Sequence, residues 1–294
     1  MVFTSGISVP EGPVLLDDNS WLVVEMGPDR GCVTHISRDG KKKTMIAKTG
    51  RPNGLAVDRA GVIWVAESQS PSLLKLTMDG KVEVFLTECN GEPFLFPNDL
   101  VFGPDGYLYM TDSGILFEDL APGGKIKQNY LELDVDGRVY RIDTRTKDIE
   151  KIDAGIKFTN GLAFGPDGNL YVNETFTGAV YHYPSSGGKV SGGRQLFGNV
   201  IDPQAPEGFK GPDGMKFGEN GNLYVTVFGQ GDVTVLDRNG SSVVDRIRTE
   251  GKLPTNCAFG PRGSKQLYVT EDEKGTLEVL DVGTDGFQLY RGNA

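Results

Sequence analysis

The chain has 294 residues, with 40 acidic against 30 basic side chains and a formal net charge of −10. That balance argues against a nucleic-acid surface and against an anionic membrane as partner. No apolar run approaches the roughly 20 residues of a spanning helix, and the opening MVFTSGISVPEG lacks the basic and apolar regions of a signal peptide, so a cytoplasmic location is expected.

Cys32, Cys89 and Cys257 lie far apart, with no CxxC pair and no even framework, and read as buried thiols in a reducing compartment. The two histidines, His35 and His182, each sit in an alternating strand pattern. They leave little for a Ser-His-Asp triad or a multi-histidine zinc site. Hydrolytic chemistry in this chain must then run on carboxylates, amides and a hard metal.

One phrase recurs along the chain. It reads EGPVLLDDNSWLVVEM from Glu11, NGLAVDRAGVIWVAES from Asn53, NDLVFGPDGYLYMTDS from Asn98, NGLAFGPDGNLYVNET from Asn160, DGMKFGENGNLYVTVF from Asp213 and NCAFGPRGSKQLYVTE from Asn256. Each copy is a short strand, a tight turn and a second strand rich in Val, Tyr and Leu. Turns such as PDGN, ENGN and DRAG use residues that preset φ or allow it to be positive. A third and fourth strand follow, as in LLKLTMDGKVEVFL from Leu73, joined at Asp79-Gly80. Six copies of one supersecondary unit, with almost no helical periodicity, predict an all-β six-bladed β-propeller. A pair of β-sandwiches gives no reason for the repetition. Residues 1–294 form one domain, because a blade cannot bury its faces alone. The last repeat is read as holding its own fourth strand, GFQLYRG, with the N-terminal VFTSGIS either adding to it or leading in.

In such a blade the innermost strand comes first and the strands alternate in direction. The tight turns (PDG, ENG, MDG, RNG) then share one face, and the longer second-to-third loops and inter-blade links share the other. The longer loops make that second face the better site. The innermost strands begin there, at Glu11, Asn53, Asn98, Asn160, Asp213 and Asn256, all with side-chain oxygens. Asn and Asp also favour turns at strand starts. Six such residues converging on an axis point instead to an oxygen cage for a hard cation such as Ca2+, with Zn2+, Mg2+ or Mn2+ as alternatives. Glu11 and Asp213 would balance its charge.

A second set stands at the ends of the second strands: Glu25, Glu67, Asp112, Glu174, Val227 and Glu271. These are either acids exposed at strand ends or groups that orient the amides, with Asp112 and Glu174 favoured as substrate-facing. The long GILFEDLAPGGKIKQNYL segment after Asp112 rises on the same face as a candidate lid. Phe94, Phe96, Phe117, Phe158, Phe176 and Phe228 fall in or beside loops of that face and suggest an apolar pocket wall, half of them at most touching a ligand.

These motifs carry a resemblance. EGP at Glu11, PNDLVF around Asn98, TNGLAF around Asn160 and GPDGM around Asp213, in this order over nearly the whole chain, resemble the senescence marker protein-30, gluconolactonase and luciferin-regenerating enzyme family. The resemblance implies a six-bladed propeller with an axial divalent metal, usually calcium, held by Glu11, Asn98, Asn160 and Asp213. Asn53 and Asn256 would stand behind the metal or face the substrate. It further implies lactone hydrolysis, with phosphotriester hydrolysis known in a related branch. The PNDLVF form looks closer to the bacterial drug-responsive lactonases. Sugar lactonases tend to place Arg two residues before the Asn matched by Asn98, where this chain has Phe96. A small, fairly apolar lactone or ester is therefore the expected partner, contacted by Asn53, Phe96, Asp112, Phe117, Glu174, Phe176 and Asn256. Asp213 is the candidate catalytic residue, as general base or as nucleophile. The rivals are a phosphotriesterase on the same ligands, a non-catalytic metal-stabilised binding module, and a metal-free strictosidine-synthase-like propeller. The last gives no reason for the pair Glu11 and Asp213.

Overall fold

The computed structural model describes residues 1–240 and 242–292. Its strands make six four-stranded antiparallel sheets, the blades of a propeller. The innermost strands of blades 1 to 6 are Pro10–Leu15, Pro52–Val57, Pro97–Phe102, Thr159–Phe164, Gly211–Phe217 and Pro254–Phe259. Second strands such as Trp21–Glu25, Ile63–Glu67 and Leu108–Asp112 are buried along their whole length, because a neighbouring blade covers each face. Outer strands such as Lys43–Lys48 are largely exposed. No helix among the described residues is long and apolar enough to cross a membrane.

The core is divided among the gaps between blades. Leu22, Val24 and Val33 of blade 1 pack on Leu55, Ile63 and Val65 of blade 2. Phe102, Leu108 and Tyr140 of blade 3 pack on Trp64 and Leu73 of blade 2, and the pattern continues round the ring. The tight-turn face has its own lock. Asp105 accepts from the Tyr109 hydroxyl at 3.0 Å, Asp167 from Tyr171 at 2.8 Å, and Asp58 from the Trp64 indole at 3.1 Å. The repeated turn thus fastens the aromatic of the following strand, so GPDGN is scaffold.

Every innermost strand slips register directly after its first residues, between Glu11 and Val14, Pro52 and Leu55, Pro97 and Leu100, Thr159 and Leu162, Pro212 and Met215, and Pro254 and Cys257. A bulge there re-aims the side chains beside it. It also brings neighbouring backbones close. A Cβ on Gly161 would lie 2.2 Å from the Asp213 carbonyl, and one on Gly214 would lie 2.0 Å from Asn256 Oδ1, so only glycine fits after those heads.

Ring closure differs from the sequence reading. Val2–Ser5 is the fourth strand of blade 6, paired antiparallel with Thr276–Asp281. Trp21 and Ile36 of blade 1 then pack on Tyr268 and Leu277 of blade 6, with Trp21 and Tyr268 ring centroids 4.3 Å apart. GFQLYRG is no blade strand. It runs across the tight-turn face, where Phe287 N donates to Phe217 O at 2.8 Å, Arg59 N donates to Arg291 O at 3.0 Å, and Arg291 pairs with Asp17 at 2.6 Å. Phe287 and Tyr290 find more apolar cover across blades 3 to 5 than an already completed blade could give them. The segment closes the axis on the face opposite the site.

Deleting residues 1–5 would leave the edge of Thr276–Asp281 unpaired. The expected result is a lower thermal midpoint and increased self-association, measured by calorimetry and size-exclusion chromatography. A truncated chain with the parent's midpoint would show that the closing strand contributes nothing.

Candidate metal centre

The bulges turn the six strand heads toward the axis, and the structure separates them into distinct roles. Glu11, Asn53, Asn98, Asn160 and Asn256 are buried, whereas Asp213 keeps part of its surface open. Asn98 Nδ2 donates to Ser113 Oγ at 3.0 Å, and Ser113 Oγ donates its only proton to the Thr159 carbonyl at 2.8 Å. That hydroxyl can therefore only accept from Asn98, which fixes the amide and turns Oδ1 away. The same device recurs one blade on: Asn160 Nδ2 donates to Thr175 Oγ1 at 3.2 Å, and Thr175 Oγ1 donates to the Pro212 carbonyl at 2.8 Å. As a result Asn98 Oδ1 and Asn160 Oδ1 are buried without a hydrogen-bond partner, as is Glu11 Oε1.

Asn256 behaves differently. Its Nδ2 donates to Glu11 Oε2 at 3.1 Å and its Oδ1 accepts from Cys257 N at 2.8 Å. Its amide is held at both ends, so it positions Glu11. Asn53 makes no side-chain hydrogen bond among the described residues, which leaves it free at the ring's edge.

Electrostatics converge on the same point. Burial pushes the Glu11 carboxyl well above its usual range, and the nearby Asp213 and Asp99 push it further. Burial and Asp99 likewise raise Asp213. Asp99 is itself raised by burial, an effect opposed by Lys216, and its Oδ2 has no partner. Three carboxylates thus share the axis. Like charges brought together out of water disfavour ionisation, and a divalent cation would reverse that. No cluster of three or more His, Cys, Asp or Glu suited to a metal exists among the described residues. A cation would have to use the amide oxygens as well. Two carboxylates and two outward-braced amides, all oxygen, suit a hard cation such as calcium. Glu11, Asn98, Asn160 and Asp213 fit that requirement.

The acids at the ends of the second strands have a different task. Each accepts from the backbone of the link that leads into its own innermost strand. Glu25 takes Ser8 N at 3.0 Å, Glu67 takes Arg51 N at 2.7 Å, Asp112 takes Leu95 N at 2.8 Å and Phe96 N at 2.9 Å, Glu174 takes Lys157 N at 2.7 Å, and Glu271 takes Leu253 N at 2.8 Å. Val227 of blade 5 joins the apolar packing against blade 4 instead. Asp112 and Glu174, expected at the substrate, are thus occupied behind the ring by backbone donors and, for Glu174, by the hydroxyls of Thr177 and Tyr181. His35 and His182 lie in the third strands of blades 1 and 4, off the axis.

The segment after Asp112 folds as a cap built on a short helix, Phe117–Leu120. Its Ile115, Leu120 and Val135 pack onto Phe96 and Phe158, burying both rings. Aromatic contacts continue the wall: Phe158 stacks on Phe176 at 5.3 Å, Tyr130 meets Phe176 at 5.1 Å and Phe209 at 4.9 Å, and Phe209 meets Phe228 at 5.9 Å. Phe117, Phe176 and Phe228 keep partly open faces, whereas Phe94 packs in the core between blades 2 and 3. Phe158 holds φ at +69°, a conformation that costs a bulky residue about 1–2 kcal/mol. It does so two residues before Asn160.

Sequence reading missed Asp99, Arg51 and Asp272. Asp99 had a signal: it follows a strand head where Gly12, Gly54, Gly161 and Gly214 stand in other copies. Asp272 follows Glu271 in the blade 6 loop. Burial and Glu271 raise its carboxyl, against the pull of Arg51.

The fold is a six-bladed propeller whose strand heads carry unpartnered buried oxygens beside an aromatic cap. The chain belongs to the family described as SMP-30/Gluconolactonase/LRE-like region, which matches residues 9–272. It is 28% identical to a gluconolactonase of Zymomonas mobilis over 92% of this chain and 78% of that one. It is also 28% identical to diisopropyl-fluorophosphatase of Loligo vulgaris, over 98% and 93% of the two chains. Among solved structures it resembles a calcium-binding protein, regucalcin, of Agrobacterium tumefaciens, with a TM-score of 0.79, 17% identity, and coverage of 100% of this chain and 99% of that one.

The raised carboxyls give a signed prediction for metal-free protein. The folded state binds more protons than the unfolded one once pH exceeds the ordinary carboxylate value of about 4. The stability present below that value is therefore lost as pH rises through the higher folded-state value. In chelator, the wild type should fall relative to Glu11→Gln from about pH 4 upward. Thermal midpoints across pH check this, and a difference that stays flat or grows in the wild type's favour would refute it.

Proposed function

We propose that Glu11, Asn98, Asn160 and Asp213 hold a divalent cation, most suitably Ca2+, and that the protein is a lactonase-type hydrolase opening a small, fairly apolar lactone or related ester. The observation that carries the reading is the set of buried oxygens on Glu11, Asn98 and Asn160 with no hydrogen-bond partner, with the Asp213 carboxylate acting on Glu11. Likeness to a gluconolactonase supports a hydrolase of this type.

Bound there, a divalent cation supplies Lewis acidity toward the substrate carbonyl oxygen. The remaining work falls to the chain's own residues. Asp213 is the one of the four residues that is not fully buried, so it is the carboxylate assigned to the reaction. It either takes a proton from an attacking water or attacks the carbonyl carbon itself. Asn256, braced at both ends, keeps Glu11 aimed at the axis. Asn53 is free to hydrogen-bond the substrate. The aromatic wall from Phe117 to Phe228 takes the apolar body and excludes water.

Likeness to diisopropyl-fluorophosphatase over nearly the whole chain favours a second reading, phosphotriester hydrolysis by the same four residues. A lactone panel run beside organophosphate esters separates the two.

Asp213→Asn should lower kcat at least about 100-fold, the scale of a lost acid–base or nucleophilic group, while the circular dichroism spectrum stays that of the parent. Chelation should abolish turnover, and added Ca2+ should restore it. Undiminished turnover after verified metal removal overturns the reading. Label from 18O-water found in the Asp213 side chain after turnover would mark it as the nucleophile.

A further inference from the structure

Arg51 lies two residues before Asn53 in the link between blades 1 and 2, on the face of the oxygen ring. Its backbone is fixed: the amide donates to Glu67 Oε1 at 2.7 Å, and the carbonyl accepts from Ser68 N at 3.1 Å and Ser68 Oγ at 2.8 Å. Its guanidinium makes a single hydrogen bond, Nη1 to Ser68 Oγ at 3.1 Å. Among the described residues it is the one half-buried arginine with no carboxylate within 4 Å. Arg138, Arg141, Arg194 and Arg246 all have such a partner. The plane of Arg51 is covered instead, its Cζ lying 3.7 Å from the Phe117 ring centroid and 5.2 Å from that of Phe96.

A guanidinium carries five N–H donors in a fork matched to a carboxylate. Aromatic rings satisfy its faces and leave the edge unserved. Withdrawal from water brings Arg51 down to about 10, with Glu67, Asp272 and Glu118 as its strongest negative neighbours. Asp272 also acts on Asp213, which links the surroundings of Arg51 to the oxygen ring. At Phe117 the aromatic residues of the cap meet this guanidinium.

We propose that Arg51 is the specificity residue of the site and binds a carboxylate on the substrate. The substrate class is then a lactone or ester with an apolar body and one carboxylate set apart from the scissile carbonyl. The aromatic wall takes the body, Arg51 and the free amide of Asn53 take the anionic end, and the ring takes the reacting carbonyl. The absence of arginine at Phe96 does not make the pocket wholly apolar, because the cation comes from the neighbouring blade and stacks on that very ring.

The inference rests on the hydrolase reading for its substrate, and the experiment separates the two. Binding of 4-phenylbutyrate to the Ca2+-loaded protein is measured by calorimetry in the parent, Arg51→Met, Arg51→Lys and Phe117→Leu. Loss of a charge-assisted forked contact should weaken binding roughly 10- to 100-fold in Arg51→Met, with partial recovery in Arg51→Lys. Equal affinity in parent and Arg51→Met, or no binding to either, overturns the proposal whether or not any lactone is turned over. In turnover, a phenylalkyl lactone bearing a carboxylate is compared with its methyl amide. Arg51→Met should lower the carboxylate-to-amide ratio of kcat/KM by a similar factor, through KM. A residue that merely anchored the cap through Phe117 would depress both substrates alike, as Phe117→Leu would, and that outcome also overturns the proposal.

Discussion

Carboxylates that repel one another are not buried together without a counter-charge, and the axis of this propeller buries Glu11, Asp99 and Asp213 together. The strongest influences on Glu11 and Asp213 include no cationic side chain. Lys216 acts on Asp99, one residue past the ring. Glu11 Oε1, Asn98 Oδ1 and Asn160 Oδ1 are left buried without a hydrogen-bond partner. Most features of the fold can be understood as ways of holding that unfavourable arrangement in place.

The first way is a chain of hydroxyls. Thr111 donates to the Asn160 carbonyl, Ser113 to Thr159, Thr175 to Pro212, Thr226 to Thr255 and Thr255 to Pro10. Each bond ties one blade to the head of the next, and two of these hydroxyls also fix which end of an asparagine faces the axis. The second way lies behind them, where acids ending the second strands hold the inter-blade links by their backbone amides. Those acids are buried and hydrogen-bonded to backbone donors, which makes them rigid. The aim of Asn98 and Asn160 is thus a property of the assembled ring. An isolated blade has no neighbouring carbonyl to orient its hydroxyl.

The cap applies similar economy on the open side. Its apolar residues bury Phe96 and Phe158, while Phe117 leaves the cluster far enough to cover Arg51. One ring therefore belongs both to the cap's own packing and to the cover of the Arg51 guanidinium. Closure of the cap and presentation of that charge are linked by this contact.

Six copies of one phrase, with turn residues at fixed offsets, determined the propeller, because a local unit that cannot bury itself must repeat. The heads of the innermost strands were legible for the same reason: equivalent positions in a ring converge. What the chain could not reveal by itself was which heads differ. Asn256 and Asn98 look alike in sequence, but the Asn256 oxygen accepts from Cys257 N whereas the Asn98 oxygen is buried without a partner. Asp112 and Glu174 read as site acids until the folded backbone supplied their donors. GFQLYRG alternates like a strand, yet Val2–Ser5 had already taken that edge, so the segment found its burial beneath the ring. Arg51 gave no local sign at all. Its significance depends on Phe96 and Phe117, 45 and 66 positions away, which reach it only when the blades and cap close together. Repetition and alternation are written in short stretches of chain, whereas the partner of a polar atom is a fact about neighbours brought together only by closure.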